Sequence, residues 1–286
     1  MDVSIILVNY KTKELTINCI KSIQEKTKDL KYEIILVDNA SNDGSIETIE
    51  KKYPNIKIIK NDTNLGFGIA NNIGIKNSNG KYILCLNTDT ILINNAIKLM
   101  YDFMEKSANQ KIGACGGNLM HVDMTPAHTG FSFPNVWNCS SLFWINKFLF
   151  KQYYAPKEIK SVVDIDFITG ADLFIRKSVL DDIGYYDENI FMYYEDVDLC
   201  LRMKKAGYRR VLIPEPQIIH LEGQSSKNFL KKTKNSVKGK YYYLNKHKLY
   251  LSKIVMKISY MVIHMFAFIF TKNKDHYDLI KIHCLG

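Results

Sequence analysis

The chain has 286 residues, of which 47% are hydrophobic and 24% charged, and this balance excludes a disordered or collagen-like protein. Its net charge of +10 is unevenly placed, because residues 1–221 carry 26 basic and 26 acidic side chains, whereas residues 222–286 carry 13 and 3. A uniformly basic nucleic-acid-binding protein is thereby excluded, and the sequence predicts a neutral body with a basic C-terminal region.

The cysteines and the N-terminus indicate the compartment. The six cysteines are scattered and form no C-x-x-C pair, so a zinc ribbon or a redox motif has no support. A chain of this size builds a large core and does not need a disulfide framework. The first apolar run, residues 3–8, is too short for the core of a signal peptide and has no basic segment before it. We therefore expect a cytoplasmic protein.

Four short apolar runs in the first ninety residues are typical of buried parallel strands. They cover residues 4–8, 33–37, 56–60 and 82–86. Between them, apolar residues recur at helical spacing over residues 15–23, 46–53 and 69–75. Strands that alternate with helices predict βαβ units and a parallel sheet, which binds ligands at the carboxyl ends of its strands.

Polar clusters follow three of these strands, at residues 9–12, 38–45 and 87–90. Asn, Asp, Ser and Gly are also the usual residues of turns and helix caps, so each cluster alone has a structural explanation. Because the carboxyl ends of parallel strands meet at one edge of a sheet, the three clusters together predict a binding site there.

Beyond residue 110 the predicted elements are less regular. A strand is expected around residues 113–117, and the aromatic-rich residues 121–165 are typical of a loop over a binding face. A strand over 173–176, a helix over 178–183 and a helix that begins with acidic residues near 195 and ends at Gly207 follow. Pro214 and Pro216 are expected to break the next strand, 210–213, from another at 218–220.

The C-terminal region, residues 223–286, is rich in lysine over 227–257, and its longest uncharged stretch is the 14 residues 258–271. As a helix this stretch is about 21 Å long, short of the roughly 30 Å hydrocarbon core of a membrane, so it is not predicted to span one. A basic amphipathic element in the headgroup region and a helical hairpin packed on the body both fit, and the former is favoured.

Several motifs occur in an order that resembles the family 2 glycosyltransferases of GT-A fold. They are SIILVNY at 4–10, ILVDNASNDGS at 35–45, NLGFGIANNIG at 64–74, LNTD at 86–89, GA at 170–171, YEDVDLCLR at 194–202 and His220. Each motif alone is weak, but the ordered set is specific and covers about residues 1–225. Within the family, the chain is most similar to rhamnosyltransferase-type members that build bacterial surface polysaccharides.

The resemblance implies an α/β GT-A fold, in which a mixed, mainly parallel sheet is flanked by helices. Residues 1–110 are expected to bind the nucleotide-sugar donor, residues 111–222 to bind the acceptor and carry catalysis, and residues 223–286 to form a helical, membrane-associating extension. The residues implied to bind the nucleotide-sugar are Val8, Tyr10, Asp38, Asn64, Gly66, Asn72, Asn87, Thr88, Gly170 and Ala171.

The resemblance also implies a metal site and a catalytic base. Residues 87–89 stand where the family has its D-x-D metal motif, with Asn87 replacing the first acid, so Asp89 and His220 are the expected ligands of Mn²⁺ or Mg²⁺. An imidazole ligand favours Mn²⁺. Asp196 is the expected general base and Glu195 an orienting or acceptor-binding residue, although both acids also suit the N-terminal end of a helix dipole.

The implied activity is an inverting, metal-dependent transfer of one sugar to a lipid-linked oligosaccharide in O-antigen or capsule synthesis. The favoured donor is dTDP-L-rhamnose, and another UDP- or GDP-sugar is the alternative. Single transfer is favoured over processive synthesis because the sequence shows no Q-x-x-R-W motif and no predicted spanning helices. We expect the enzyme on the inner face of the cell membrane, attached to anionic lipid through residues 227–271.

Two other function classes are less consistent with the sequence. A sugar nucleotidyltransferase has a Gly-rich, Arg-containing loop after its first strand, where this chain has NYKTK at 9–13. A catalytically inactive scaffold that binds glycans or membranes does not need Asp38, Asp89, Asp196 and His220 together.

Overall fold

The computed structural model describes residues 1–127, 129–135, 159–221, 229–272 and 274–285. Much of the aromatic-rich segment that was expected to cover the binding face, residues 136–158, therefore lies outside the described residues. The cysteines in the described ranges, Cys19, Cys85, Cys115, Cys200 and Cys284, are free thiols, in agreement with the expectation that no disulfide framework is needed.

The first ninety residues form the predicted succession of strands and helices. The strands are β1 (Val3–Asn9), β2 (Tyr32–Asp38), β3 (Lys57–Lys60) and β4 (Tyr82–Leu86). The helices between them are α1 (Lys13–Lys26), α2 (Ser45–Lys52) and α3 (Phe67–Lys76). The strands pair in parallel in the order β3-β2-β1-β4, which confirms the βαβ prediction for this half of the chain.

The second half contributes short strands and amphipathic helices. In chain order these are β5 (Thr90–Leu92), α4 (Ala96–Glu105), a 3-10 turn (Ser107–Asn109), β6 (Ile112–Met120), β7 (Gly130–Phe131), β8 (Val163–Asp164), β9 (Phe167–Ile168), β10 (Asp172–Arg176), α5 (Lys177–Ile183), α6 (Glu195–Lys205) and β11 (Arg209–His220). The sequence analysis did not predict β5 and α4. Three helices, α7 (Phe229–Lys246), α8 (Tyr250–Thr271) and α9 (Lys274–Leu285), follow.

The central sheet is mixed, and its pairing brings several strand ends to one edge. Its order is β3-β2-β1-β4-β10-β6-β11-β5, with β8 paired to β11. β10 runs antiparallel to both β4 and β6, and β6 runs parallel to β11. Consequently the carboxyl ends of β1, β2, β4 and β11 and the start of β10 lie at the same edge, which we call the active edge. Helices cover both faces of the sheet over two apolar clusters.

The expectation that two prolines break the last strand is wrong. β11 continues from Arg209 to His220 through Pro214 and Pro216, and its pairing with β6 shifts register between Leu212 and Gln217. Such an irregularity lets proline lie in a strand without loss of a ladder hydrogen bond. The uninterrupted strand carries His220 to the active edge.

The C-terminal region is helical, as expected, but its apolar helix is longer than the sequence analysis estimated. α8 has 22 residues, about 33 Å at 1.5 Å per residue, because the helix extends past the uncharged stretch to Tyr250. Within the described residues, α8 is the one helix long and apolar enough to cross a membrane. The estimate that this segment is too short to span was therefore wrong. α7 packs on the body, with Val237, Tyr241 and Tyr243 buried beside Val197 of α6.

Candidate active site

The buried side chain of Asn9 joins the ends of β1 and β2. Its two amide N–H groups are shared among three acceptors at 2.7–2.9 Å, namely Asp38 Oδ1, Ser41 Oγ and Ser45 Oγ. Its amide oxygen accepts hydrogen bonds from the hydroxyl groups of Thr12 and Thr16. Because both ends of this buried amide are fully used, Asn9 fixes the relative position of the first two polar clusters.

Asp38 is buried beside Asn9, and both of its carboxylate oxygens are hydrogen-bonded. Ser41 donates to Oδ1 through its hydroxyl group at 2.5 Å and to Oδ2 through its backbone N–H at 3.1 Å. These bonds hold the carboxylate in one orientation at the end of β2. Asp38 therefore caps the turn after β2, which agrees with the structural explanation of this polar cluster as a turn.

A cavity of about 450 Å³ opens next to this loop. It is lined by Tyr10, Lys11, Ala40, Ser41, Asn42, Asp43 and Asn64. Lys11, Ala40 and Asn42 adopt positive φ angles, so the backbone of both loops turns sharply around the cavity. The volume lies in the ordinary range for small-molecule sites, and the lining offers an aromatic ring, amides and both charge signs.

The turn after β4 lies beside the same loops. Thr88 and Thr12 share a hydrogen bond at 3.1 Å, which ties this turn to the end of β1. Asp89 lies in the turn with His220 opposite it, and the distance from Asp89 Oδ1 to His220 Nε2 is 3.3 Å. The Asn87 amide nitrogen is 3.5 Å from the same imidazole nitrogen. The third polar cluster and the end of β11 therefore converge, as the resemblance implied.

The Asp89–His220 pair fits two ligands of one divalent ion. A separation of 3.3 Å between a carboxylate oxygen and an imidazole nitrogen matches two neighbouring ligand atoms, each about 2.1 Å from a shared cation. Within the described residues, no group of three or more His, Cys, Asp or Glu side chains could hold a metal. Amides, water and the substrate are usual further ligands of ions that bind diphosphates.

Glu195 and Asp196 open α6 and differ in their surroundings. Asp196 accepts hydrogen bonds from the backbone N–H groups of Gly170 and Val197, at 3.0 and 2.8 Å. Burial raises the pKa of Asp196, and these two bonds oppose the rise. Glu195 is buried, its Oε2 atom has no hydrogen-bond partner among the described residues, and burial together with the Asp196 charge raises its pKa well above the ordinary value. The two acids therefore differ in that Asp196 has backbone N–H groups bound to its carboxylate, which oppose the effect of burial.

Residues 170 and 171 connect the two halves of the site. The backbone N–H of Gly170 binds Asp196, and the carbonyl oxygen of Ala171 accepts a hydrogen bond from the backbone N–H of Asn87 at 3.1 Å. Gly66, with φ of +90°, lies against the carbonyl oxygen of Phe191, which a Cβ atom would approach to 2.2 Å. Only glycine permits this contact between the donor-side loop and the segment before α6.

The remaining predicted donor-binding residues lie in different surroundings. Asn64 lines the cavity, and its side-chain oxygen accepts from the Gly66 N–H at 3.0 Å. Val8 is part of β1 and packs partly buried against the core. Asn72 does not line this cavity, and both ends of its amide bind the backbone of Tyr186 at 2.9 Å. Its role is to hold α3 against the segment after α5.

Sequence reasoning left out several residues that organise the site. Asn9 and Ser41 belong to the motifs, but nothing in the sequence indicates that one amide binds both loops. Asp172 begins β10 with its Oδ1 atom unpartnered and its Oδ2 atom bound by the Gly117 N–H. Burial raises its pKa to about 7, opposed by that bond and by His220. An acid inside an apolar strand pattern was the available signal for Asp172.

The family comparison agrees with this geometry. The model of the family described as Glycosyl transferase family 2 matches residues 4–184, more than half of the chain. This match confirms the resemblance that the sequence motifs indicated. Asp196 and His220 lie beyond the matched residues, so their roles rest on the geometry given above.

Curated relatives share about a quarter of their residues with the chain. An N-acetylglucosaminyl-diphospho-decaprenol L-rhamnosyltransferase of Mycobacterium tuberculosis is 26% identical over 215 residues, which cover 68% of this chain and 67% of that protein. Rhamnosyltransferase WbbL of Escherichia coli is 27% identical over 216 residues, covering 71% and 78%. These relatives support a sugar-transferring enzyme of the hexosyltransferase class.

Solved structures confirm the GT-A fold. GalNAc-T7 with UDP, GalNAc and Mn²⁺ superposes with a TM-score of 0.60 at 17% identity, covering 85% of this chain and 50% of that one. The mannosyltransferase PcManGT of Pyrobaculum calidifontis, in complex with GDP-Man and Mn²⁺, also has a TM-score of 0.60, at 11% identity, covering 99% and 84%. At these identities the likeness shows the fold alone.

Asp172 makes the stability of the protein depend on pH. Its folded-state pKa lies above the unfolded value of about 3.9, so its contribution to stability is present below that value and is lost as pH rises through about 7. We expect the free energy of unfolding of Asp172→Asn, relative to that of wild type, to be higher at pH 8 than at pH 5. Urea unfolding without divalent cations measures this difference. Asp102→Asn, at an exposed position on α4, is the control. An equal difference at both pH values contradicts the prediction.

Proposed function

We propose that this chain, which belongs to glycosyl transferase family 2, moves a single sugar from a nucleotide-sugar donor to a lipid-linked glycan during the synthesis of a surface polysaccharide. The observation that carries the proposal is the link through residues 170 and 171. One residue binds Asp196 and the next binds the backbone of Asn87, beside Asp89 and His220. A candidate base and a candidate diphosphate site are thereby joined at one sheet edge.

The proposed donor is dTDP-L-rhamnose, with another UDP- or GDP-sugar as the alternative. The rhamnosyltransferases among the relatives support the sugar. The cavity next to the Asp38 loop supports a nucleotide, because Tyr10 can stack on a base and the loop residues can hydrogen-bond ribose. The Asn64–Gly66 turn leads into α3, whose first N–H group, on Phe67, donates to the carbonyl oxygen of Phe191 at 2.9 Å, so this end of the helix contacts the segment before α6.

The proposed reaction is a direct displacement at the anomeric carbon. The acceptor hydroxyl oxygen forms a bond to that carbon from the side opposite the diphosphate, and the bond between the carbon and the diphosphate oxygen breaks with its electron pair. Asp196 takes the proton from the acceptor hydroxyl, and the configuration inverts. Glu195, whose pKa is raised by burial and by the Asp196 charge, is placed next to Asp196 to orient the acceptor through a hydrogen bond.

Asp89 and His220 are proposed to hold a divalent cation, with Asn87 beside them and the donor diphosphate completing the set. The chemistry that the cation supplies is neutralisation of the charge that grows on the departing nucleoside diphosphate. The mixed oxygen and nitrogen ligands favour Mn²⁺.

The division of the chain and its location belong to the same proposal. Residues 1–110 bind the donor, residues 111–222 contribute the acceptor site and the base, and residues 223–286 contact the cytoplasmic face of the membrane. α8 supports the last point, because it exposes large apolar side chains, among them Ile254, Ile258 and Phe270, which is 82% exposed. Lys272, at the C-terminal end of α8, is exposed beside this apolar surface and suits anionic lipid, whereas Lys253 lies over the ring of Tyr241 and Lys257 donates to the carbonyl oxygen of Cys284.

Removal of the base should abolish transfer. We expect Asp196→Asn to lower kcat by at least about a hundredfold while dTDP binding stays unchanged, since the base acts only in the reaction. In wild type, kcat should rise with pH through a value above the ordinary aspartate pKa, because burial raises the pKa of Asp196. Rhamnosyl transfer from dTDP-L-rhamnose to an N-acetylglucosaminyl-diphospho-polyprenol measures this. Asp102→Asn is the control, and normal turnover by Asp196→Asn refutes the assignment.

Loss of either metal ligand should weaken cation binding. We expect His220→Ala and Asp89→Asn to weaken Mn²⁺ binding in the presence of dTDP by at least about tenfold, as measured by calorimetry. His121→Ala removes an exposed histidine and serves as the matched control. Unchanged Mn²⁺ affinity in both ligand variants would exclude these residues as the metal site.

The exposed face of α8 should carry membrane attachment. We expect the double variant Ile258→Ser, Phe270→Ser to lose most of its co-sedimentation with vesicles of anionic phospholipid, because each side chain contributes apolar area to the bilayer. Val122→Ser, at an apolar residue that is 67% exposed on the body, is the control. Equal sedimentation of the double variant and wild type contradicts the attachment through α8.

A further inference from the structure

The segment that presents the two catalytic acids has an unusual backbone. Tyr193 and Tyr194, directly before Glu195, adopt φ angles of 70° and 77°. Two consecutive non-glycine residues in the left-handed region are strained, so such a turn persists only where its surroundings hold it. We call residues 191–194 the tyrosine turn. Its shape determines where α6 begins and where Asp196 points.

α7 lies directly on the tyrosine turn. A Cβ atom on Gly239 would come within 2.2 Å of the Tyr193 carbonyl oxygen and 3.3 Å of the Met192 carbonyl oxygen. Any larger residue would have to push the helix away from the turn. The ring of Tyr243, one turn further along α7, lies 5.7 Å from the ring of Tyr194. Backbone and aromatic contacts thus place α7 against both residues with positive φ.

A second anchor joins the end of α7 to the first turn of α6. The fully buried carboxylate of Asp198 receives Lys246 Nζ at 2.7 Å, His247 Nε2 at 2.8 Å and Arg202 Nε at 2.9 Å. Burial alone would raise the pKa of Asp198, but His247, Lys246 and Arg202 hold it well below its usual range. Asp198 therefore stays ionised and paired, and it takes no part in proton transfer.

The same end of α7 also holds the segment that leads into the tyrosine turn. Lys246 Nζ lies 2.6 Å from Asp187 Oδ2, and the Tyr242 hydroxyl group donates to the same oxygen at 3.1 Å. His247 is oriented in turn by Lys205, whose Nζ atom is 3.1 Å from Nδ1. α7 thus binds the chain before the turn, at Asp187, and after it, at Asp198.

We propose that α7 is a positioning element of the catalytic site, in which Gly239 supports the tyrosine turn while Lys246 and His247 anchor Asp198, so that Asp196 keeps its place beside Gly170. This inference rests on the proposed role of Asp196 as the base. It assigns Gly239, Lys246 and His247 as positioning residues, although they lie in the region that the sequence associated with membranes.

The test compares variants of the full-length protein that lose or keep the anchor. His247→Ala removes the N–H donor to Asp198, and His247→Gln restores an N–H donor. Lys246→Met breaks both of its ion pairs, and Lys238→Met removes an exposed lysine of the same helix, so net charge is matched. Hydrolysis of dTDP-L-rhamnose with Mn²⁺ gives kcat and KM, and hydrogen exchange over residues 191–198 reports the turn without substrate.

We expect kcat to fall roughly ten- to a hundredfold in His247→Ala and Lys246→Met, with the KM for donor changed by less than about twofold. His247→Gln should recover most of the activity, and exchange over 191–198 should quicken only in the two anchor-breaking variants. A purely structural role would lower activity together with donor binding and would not be rescued by His247→Gln.

The outcomes separate this inference from the proposed function. One outcome is that Asp196→Asn is inactive, while His247→Ala and Lys246→Met have the same kcat and the same hydrogen exchange as Lys238→Met. The positioning role of α7 is then overturned, and the assignment of Asp196 as the base stands. If Asp196→Asn turns over normally, the base assignment fails. Quickened exchange in the anchor variants then still shows that α7 holds the turn, whereas unchanged exchange overturns the inference independently.

Discussion

The fully used amide of Asn9 is the constraint from which the donor side of this site follows. A buried amide with two N–H groups and one oxygen stabilises the fold only if all of them find partners, and here they find five. Those partners belong to the loop after β1, to α1, and to the segment from the end of β2 to the start of α2. Thr12 extends the network to Thr88, so the turn with Asp89 takes its position from the same centre.

Three acids in the first turn of α6 illustrate how the surroundings separate chemically identical groups. Asp198 is paired with Lys246 and Arg202, lies 2.8 Å from His247 Nε2 and stays ionised, whereas burial and the Asp196 charge raise the pKa of Glu195 well above its ordinary value. Asp196 lies between these extremes, with two backbone N–H bonds that partly compensate its burial. The helix dipole alone would stabilise the ionised form of all three acids to a similar extent. Their different partners explain why one suits proton transfer, one hydrogen bonding to an acceptor and one structural anchoring.

The sequence predicted best what depends on local pattern. β1 to β4, α1 to α3 and the helix after Tyr194 follow from apolar spacing and caps, and the parallel half of the sheet follows from their alternation. The unbroken β11 was not predictable, because proline is accommodated there by pairing with β6 rather than by anything local. The orientation of the Asn72 amide was equally hidden, since its partner Tyr186 is 114 residues away. The motif resemblance identified Asn72, but it does not show the direction in which the side chain points.

The basic C-terminal region shows why a charge count cannot assign a role by itself. Lys246 is one of the 13 basic residues beyond position 221, yet it is held between two carboxylates of the body and is not available to a membrane. Lys272, exposed at the C-terminal end of α8, is placed differently, although the sequence presents both lysines alike. A buried ion pair keeps its geometry only while both partners stay desolvated, and this requires α7 to remain packed on α6. The region therefore divides at the loop after α7 into a part that belongs to the body and a part whose apolar face is exposed.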